Sequence, residues 1–378
     1  MAKIGAAPVT SPGWTGKPKK GLKIVDCDVH HNISNKDQLM PYLSKIYQEH
    51  LLDQGLLAPS AGYFNTPFRS TRTDLVDQSG SINPRDFCTD YTFLIDEHLD
   101  RWNIDYALLT GPPALLGGLS GLPDPDYAAA ICRALNEWTI ENWINKDERL
   151  LMGLFVAPSD PVQAAQEVRR LGNRKNIVAI VIPTGARMPY GNRYFHPLWE
   201  ACEEYNLAVV VHPGGAGAGI NPPITAVGYP TYYMEERMAR PSQASAHAAS
   251  LICEGVFEKF SSLKFAFIEV QQHWAIGLMW HMDSDWKSIR DQTPWVKRKP
   301  SEYFRDHIRV GSQPLHEPEN TEQLIQMLND MHAEDTLIYC SDFPHYDWND
   351  PVTTFPQMSE KLHRNIFSDN ACDLFQIN

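Results

Sequence analysis

At 378 residues, with 43% hydrophobic side chains and no apolar run long enough to cross a bilayer, the chain is expected to be a soluble globular protein that buries a large core. A formal charge of −13, with acidic residues spread along the sequence, argues against a nucleic-acid partner, because phosphate binding needs clustered Lys and Arg. The seven cysteines are scattered and never at CxxC spacing, which excludes a zinc finger and fits reduced thiols in a cytoplasmic protein.

Residues 1–21 carry lysines but no continuous apolar core after them, so they read as an N-terminal arm and not as a secretory signal. The single domain then runs over 22–378. Its opening stretch, residues 21–32 (GLKIVDCDVHHN), is an apolar strand that ends in polar groups. In an extended chain residues two apart share a face, so Asp28 and His30 can meet one ion while His31 turns away toward a packing role. Residues 33–100 lose regular periodicity and form a long insertion of the kind that serves as a lid or an oligomer contact.

From Tyr106 the pattern becomes an alternation. Apolar runs at 106–113, 150–158, 177–185, 207–215, 265–270, 308–314 and 336–345 predict strands. Helical patterns fall between them at 124–148, 161–172, 195–206, 242–260, 274–289 and 321–331. With the opening run this makes eight strands, most followed by a helix, which predicts a parallel sheet closed into a TIM (β/α)8 barrel. A doubly wound open sheet is disfavoured because no GxGxxG follows the first strand.

Active sites of such barrels lie at the carboxyl ends of the strands. There strand one delivers Asp28 and His30, strand five His212, strand six Glu269 and strand eight Asp342. Burying these groups together without a counter-ion would cost several kcal/mol each, and a divalent cation removes that conflict. Two imidazoles with two or three carboxylates and no thiolate suit Zn, Mn, Fe or Co.

Asp28-x-His30, His212 before Pro-Gly-Gly, and Ser341-Asp342-Phe343-Pro344-His345 together resemble the amidohydrolase superfamily. The likeness is to its amidohydrolase-related branch, which includes aminocarboxymuconate-semialdehyde decarboxylase and the resorcylate decarboxylases, and it spans roughly residues 22–360. It implies a (β/α)8 barrel in which Asp28, His30, His212 and Asp342 surround a divalent metal, with Asp342 also moving a proton. The implied reaction is decarboxylation, or hydrolysis by metal-bound water, of a small carboxylate-bearing substrate.

Strand six departs from that pattern. Where the decarboxylases usually carry His-x-Gly, this chain reads Glu269-Val270-Gln271-Gln272-His273. His273 is therefore a candidate to replace the missing imidazole as a catalytic group, or to hold a second metal with Glu269. A two-metal, iron-containing site would open an oxygenase reading, like hydroxylases of 2-aminoisobutyrate. A non-catalytic barrel subunit of a hetero-oligomer is a third possibility, and the arm and insertion predict homo- or hetero-oligomers.

Of the remaining candidates, Arg237 and Arg240 either clamp a substrate carboxylate or lie on an ordinary surface helix. His345 is a candidate substrate-binding group, and His247 reads as a packing histidine on a helix.

Overall fold

The computed structural model describes residues 23–59 and 88–377. The arm at 1–21 and the middle of the insertion lie outside the described residues. Eight strands form one sheet in sequence order: β1 Val25–Val29, β2 Tyr106–Leu109, β3 Leu150–Phe155, β4 Ile177–Pro183, β5 Ala208–His212, β6 Phe265–Phe267, β7 Ile308–Gly311 and β8 Leu337–Ile338. All neighbours pair in parallel. The sheet closes through Cys27 N to Tyr339 O (2.9 Å), Asp342 N to Asp28 O (3.0 Å) and His30 N to Phe343 O (2.9 Å). The architecture is a (β/α)8 barrel.

The helices used below are α1 Lys45–Gln54, α2 Pro125–Thr139, α3 Pro161–Leu171, α4 His196–Glu204, α5 Tyr233–Cys253, α6 Trp274–Ile289 and α7 Thr321–Asp330. Strands buried on both faces need unbroken apolar runs, and all seven residues of β4, IVAIVIP, are buried. The helices start where the sequence supplies both a cap and a preset φ. Asp124 and Asp160 accept the first free N–H groups of α2 and α3, and Pro125 and Pro161 occupy the first turn, where no donor is needed. In α3 the buried residues Ala164, Ala165, Val168 and Leu171 recur at helical spacing and cover the sheet. No helix among the described residues is long and apolar enough to cross a membrane.

Two expectations need correction. The insertion is not irregular throughout, since it contains α1, but of that helix only Leu51 is buried while Ile46 and Leu52 face solvent, so no clear apolar stripe marks it. The helix expected at 242–260 begins instead at Tyr233, with Pro241 inside it, and stops before Gly255, whose φ of 71° turns the chain into a separate short helix. An Arg-Pro pair normally marks a helix boundary. Here the Glu235 carboxylate caps the real start by accepting from Tyr232 N at 2.7 Å and Thr231 N at 2.9 Å.

Candidate metal centre

Asp28, His30, His212 and Asp342 come from β1, β5 and the segment after β8, and all four are buried. Each offers one ligand atom, and these atoms lie within 4.8 Å of one another. His30 Nε2 is 2.9 Å from Asp342 Oδ1 and 3.5 Å from Asp28 Oδ1, while His212 Nε2 is 3.8 Å from Asp28 Oδ2.

The backbone sets the tautomers. His30 Nδ1 lies 2.9 Å from Gly111 O and His212 Nδ1 lies 2.8 Å from Pro213 O. A carbonyl only accepts, so each Nδ1 carries the hydrogen and each Nε2 is turned inward as the metal-facing atom. Gly111 is required for this arrangement. Its φ is +78°, and a Cβ there would sit 2.3 Å from the Phe155 ring. Thr110, the residue before it, donates its hydroxyl to Asp28 Oδ1 at 2.7 Å and fixes that carboxylate's rotation.

Two buried carboxylate oxygens in the group, Asp28 Oδ2 and Asp342 Oδ2, have no hydrogen-bond partner. Orphaned buried polar atoms are rare and costly, and two beside a pair of inward-facing imidazoles fit a divalent cation. The titration behaviour shows the same frustration. Burial, reinforced by Asp342 and Glu269, outweighs the two imidazoles and lifts Asp28 to about 6. Burial pulls His30 down, but Asp28, the hydrogen bond and charge of Asp342, and Glu269 outweigh it and raise His30 to about 10. Carboxylates and imidazoles with no thiolate are a donor set for Zn, Mn or Fe.

Glu269 follows β6 in a left-handed conformation with φ of 54°. Its Oε2 is 3.1 Å from His212 Nε2, and its Oε1 is ion-paired with the Arg240 Nη1. Burial opposes its charge, yet Arg240 and then His212 hold its carboxyl well below the usual range. Arg240 itself is buried, and it also grips Glu236 through Nη2 (2.9 Å) and reaches the Tyr233 hydroxyl (3.2 Å). Its guanidinium is committed to those side chains, not free to clamp a substrate. Arg237 is likewise engaged, to Asp347 Oδ2 at 2.5 Å and to the Tyr346 hydroxyl at 2.8 Å.

The structure does not bring His273 to the group. It is exposed and paired with His316, Nδ1 to Nε2 at 2.9 Å, because Glu269 and Gln271 both adopt positive φ and break the strand alternation that would have turned it inward. Gln272 points inward instead, with Nε2 donating to Gly311 O (3.0 Å) and Ser312 O (2.9 Å). With His273 outside and Glu269 neutralised by Arg240, the expected pair for a second ion is not assembled.

His345 does join the cluster. Its Nδ1 is 2.6 Å from Asp342 Oδ1, and its ring lies 4.6 Å from that of His30. Burial lowers its pKa, but the Asp342 carboxylate outweighs this and the net shift is upward. His31 turns outward, 2.9 Å from the Thr139 hydroxyl of α2. His247 spans Tyr190 N and Thr184 O as a packing histidine. Sequence reasoning missed Thr110 and Gly111, whose one signal is a Thr-Gly pair at the carboxyl end of β2. A surface cavity of about 400 Å³ lined by Phe257, Lys264, Tyr303 and His307 opens at the amino ends of β6 and β7, away from this chemistry.

The chain is similar over most of its length to known proteins. The gamma-resorcylate decarboxylase of Polaromonas sp. (strain JS666) is 23% identical over 334 residues, covering 82% of this chain and 96% of the relative. That of Rhodococcus jostii (strain RHA1) is 22% identical over 302 residues, covering 75% and 86%. Among solved structures, 5-carboxyvanillate decarboxylase from Novosphingobium aromaticivorans, complexed with manganese and 4-hydroxy-3-methoxy-5-nitrobenzoic acid, superposes with a TM-score of 0.69. It is 18% identical, with 96% of this chain and 98% of that chain covered. Dihydroxybenzoic acid decarboxylase from Polaromonas sp. JS666, with bound manganese and 2-nitroresorcinol, gives 0.61 at 19% identity, covering 94% and 98%. Residues 27–377, nearly the whole described barrel, match the Amidohydrolase family, and the chain therefore belongs to it.

Proposed function

We propose that this protein is a divalent-metal-dependent decarboxylase of small hydroxyaryl carboxylic acids. The observation that carries the reading is the buried convergence of Asp28, His30, His212 and Asp342, whose ligand atoms lie within 4.8 Å of one another, with Asp28 Oδ2 and Asp342 Oδ2 left without a hydrogen-bond partner. The decarboxylase names and bound manganese of the relatives support it. Asp28, His30, His212 and Asp342 would hold the ion, and Glu269 sits beside His212 with its charge taken up by Arg240. When bound, a divalent ion supplies Lewis acidity to the substrate's oxygen atoms.

Asp342 passes a proton drawn from the His345 imidazolium to the ring carbon that bears the carboxylate. The carbon–carbon electron pair stays with the ring, CO2 departs, and the proton takes its place. His345, donating to Asp342 Oδ1, is placed to return a proton to that carboxylate, and as the partly exposed member of the cluster it is the group that meets substrate. Arg237, bonded to Tyr346 and Asp347, holds the loop that follows His345 in place. Exposed apolar side chains near residues 227–238 favour self-association of the barrel.

The test is CO2 release from 2,6-dihydroxybenzoate and 5-carboxyvanillate by manganese-loaded protein, in air and under argon. Equal release in both gases is expected. Asp342→Asn should lower turnover by about 10³-fold with the fold intact by circular dichroism. Retained activity in that variant, or product that forms only with O2, defeats the reading, and the second outcome would point to an oxygenase.

A further inference from the structure

The geometry points to Asp26 and His98 as a positioning pair that fixes both carboxylates of the metal group through backbone amides at Asp28 and just before Asp342; this rests on the metal reading above. Asp26 lies on β1 and is fully buried, as are His98 and Ser341. Its Oδ1 accepts the N–H of Asp28 (3.2 Å) and the N–H of Ser341 (2.8 Å), and its Oδ2 lies 2.7 Å from His98 Nε2. One side chain thus holds the amide of one carboxylate residue and the amide immediately before the other.

A buried carboxylate is an expensive way to fill this space, since an aliphatic side chain of similar size would need no donors. What it supplies is a hinge point where the sheet has none. Regular β8 ends at Ile338, and beyond it the seam that carries Asp28 and Asp342 is joined by the separate bonds Cys27 N to Tyr339 O, Asp342 N to Asp28 O and His30 N to Phe343 O. Asp342 also adopts a φ of 62°, which a residue with a side chain keeps only when its surroundings enforce it. The enforcing contacts are Asp342 N to Asp28 O (3.0 Å), Ser341 N to Asp26, and Phe343 N to Ser341 Oγ (3.0 Å).

His98 acts on the same segment from outside. Its ring stacks on Phe343 with centroids 4.3 Å apart and planes 19° from parallel. His98 lies in the π-helical segment Ile95–Asp100, so the pair ties the end of the insertion to the metal group. Ser341 Oγ is 3.3 Å from His98 Nε2, which superficially assembles Ser, His and Asp as in a nucleophilic triad. That reading fails here because all three are buried and the Ser341 hydroxyl is already engaged with Phe343 N and Asp28 O.

The test is a Mn2+ titration of metal-stripped full-length protein, followed by the electron paramagnetic resonance of free Mn2+. Asp26→Leu, which removes the acceptor from both amides, should raise Kd by about 10- to 100-fold, and His98→Gln, which leaves both amides on Asp26, by a smaller factor. Leu328→Ala, a buried change in α7 outside the metal group, supplies the control: it should lower Tm while keeping the wild-type Kd. Binding by Asp26→Leu within about twofold of wild type overturns the inference, as does an equal loss of affinity in Leu328→Ala. If Asp26→Leu does not fold, the same criterion applied to His98→Gln decides. Wild-type protein that takes up no divalent metal refutes the proposed function and this role together. Wild-type uptake with undiminished binding by the variants refutes the pair alone.

Discussion

An imidazole whose lone pair faces two carboxylates needs a positive charge between them, either a proton or a metal ion. In the metal-free protein His30 meets this need with a proton, which is why Asp28 and Asp342 raise it to about 10 against the pull of burial. A metal must displace that proton, so apparent Mn2+ affinity should climb by about tenfold per pH unit between pH 6.5 and 8.5. Below about 6, where Asp28 also takes up a proton, the dependence should steepen. Stability of the metal-free form runs the other way. The His30 contribution is complete below its ordinary 6.5 and is lost as pH rises toward about 10. Titrations across this range check both signs, and a flat affinity profile would contradict the assignment of His30. Asp28, His30, His212 and Asp342 were legible in the sequence because an apolar strand has no other reason to end in a charged side chain. Asp26 and His98 were not, since a polar residue within a strand or helix gives no sign that its partner is the amide of a ligand.

At the scale of elements, the site depends on where each strand stops. β2 stops at Thr110-Gly111, and the left-handed Gly111 aims its carbonyl at His30. Gly111→Ala forces a Cβ to within 2.3 Å of the Phe155 ring and strains φ as well. The combined cost should be about 2–4 kcal/mol, seen as a lower denaturation midpoint, together with weaker metal binding as the carbonyl shifts. A variant within about 0.5 kcal/mol of wild type would show that the loop absorbs the methyl group and that Gly111 is not required. The eight strands were readable because continuous burial leaves continuous apolar runs. The end of β6 was not readable. Period-two alternation carries Glu269 forward to Gln271 and His273 on one face, whereas positive φ at Glu269 and Gln271 curls the chain so that Gln272 enters the barrel and His273 leaves it. No residue type at those positions announces a left-handed turn, as a glycine would have done.

For the molecule as a whole, charge and apolar exposure act against each other. The net charge of −13 makes two copies repel. Against this, Val227 is 98% exposed, Tyr232 70%, Met234 77% and Met238 61%. Met234 and Met238 are four residues apart in α5 and so lie on one face, continuous in sequence with Tyr232. Apolar side chains gathered this way commonly mark a contact with another protein surface, and the self-association proposed above would cover them. Salt shortens the reach of the repulsion, from about 30 Å at 0.01 M to about 10 Å at 0.1 M, and leaves apolar burial largely intact. Sedimentation velocity should therefore show a larger oligomer fraction at high than at low ionic strength. The double variant Met234→Glu, Met238→Glu should shift the protein toward monomer under both conditions, since it removes apolar area and adds charge on the same face. A wild-type monomer at every salt concentration would mean that these side chains meet no second copy, and an oligomer indifferent to the double substitution would move the contact to another face of the barrel.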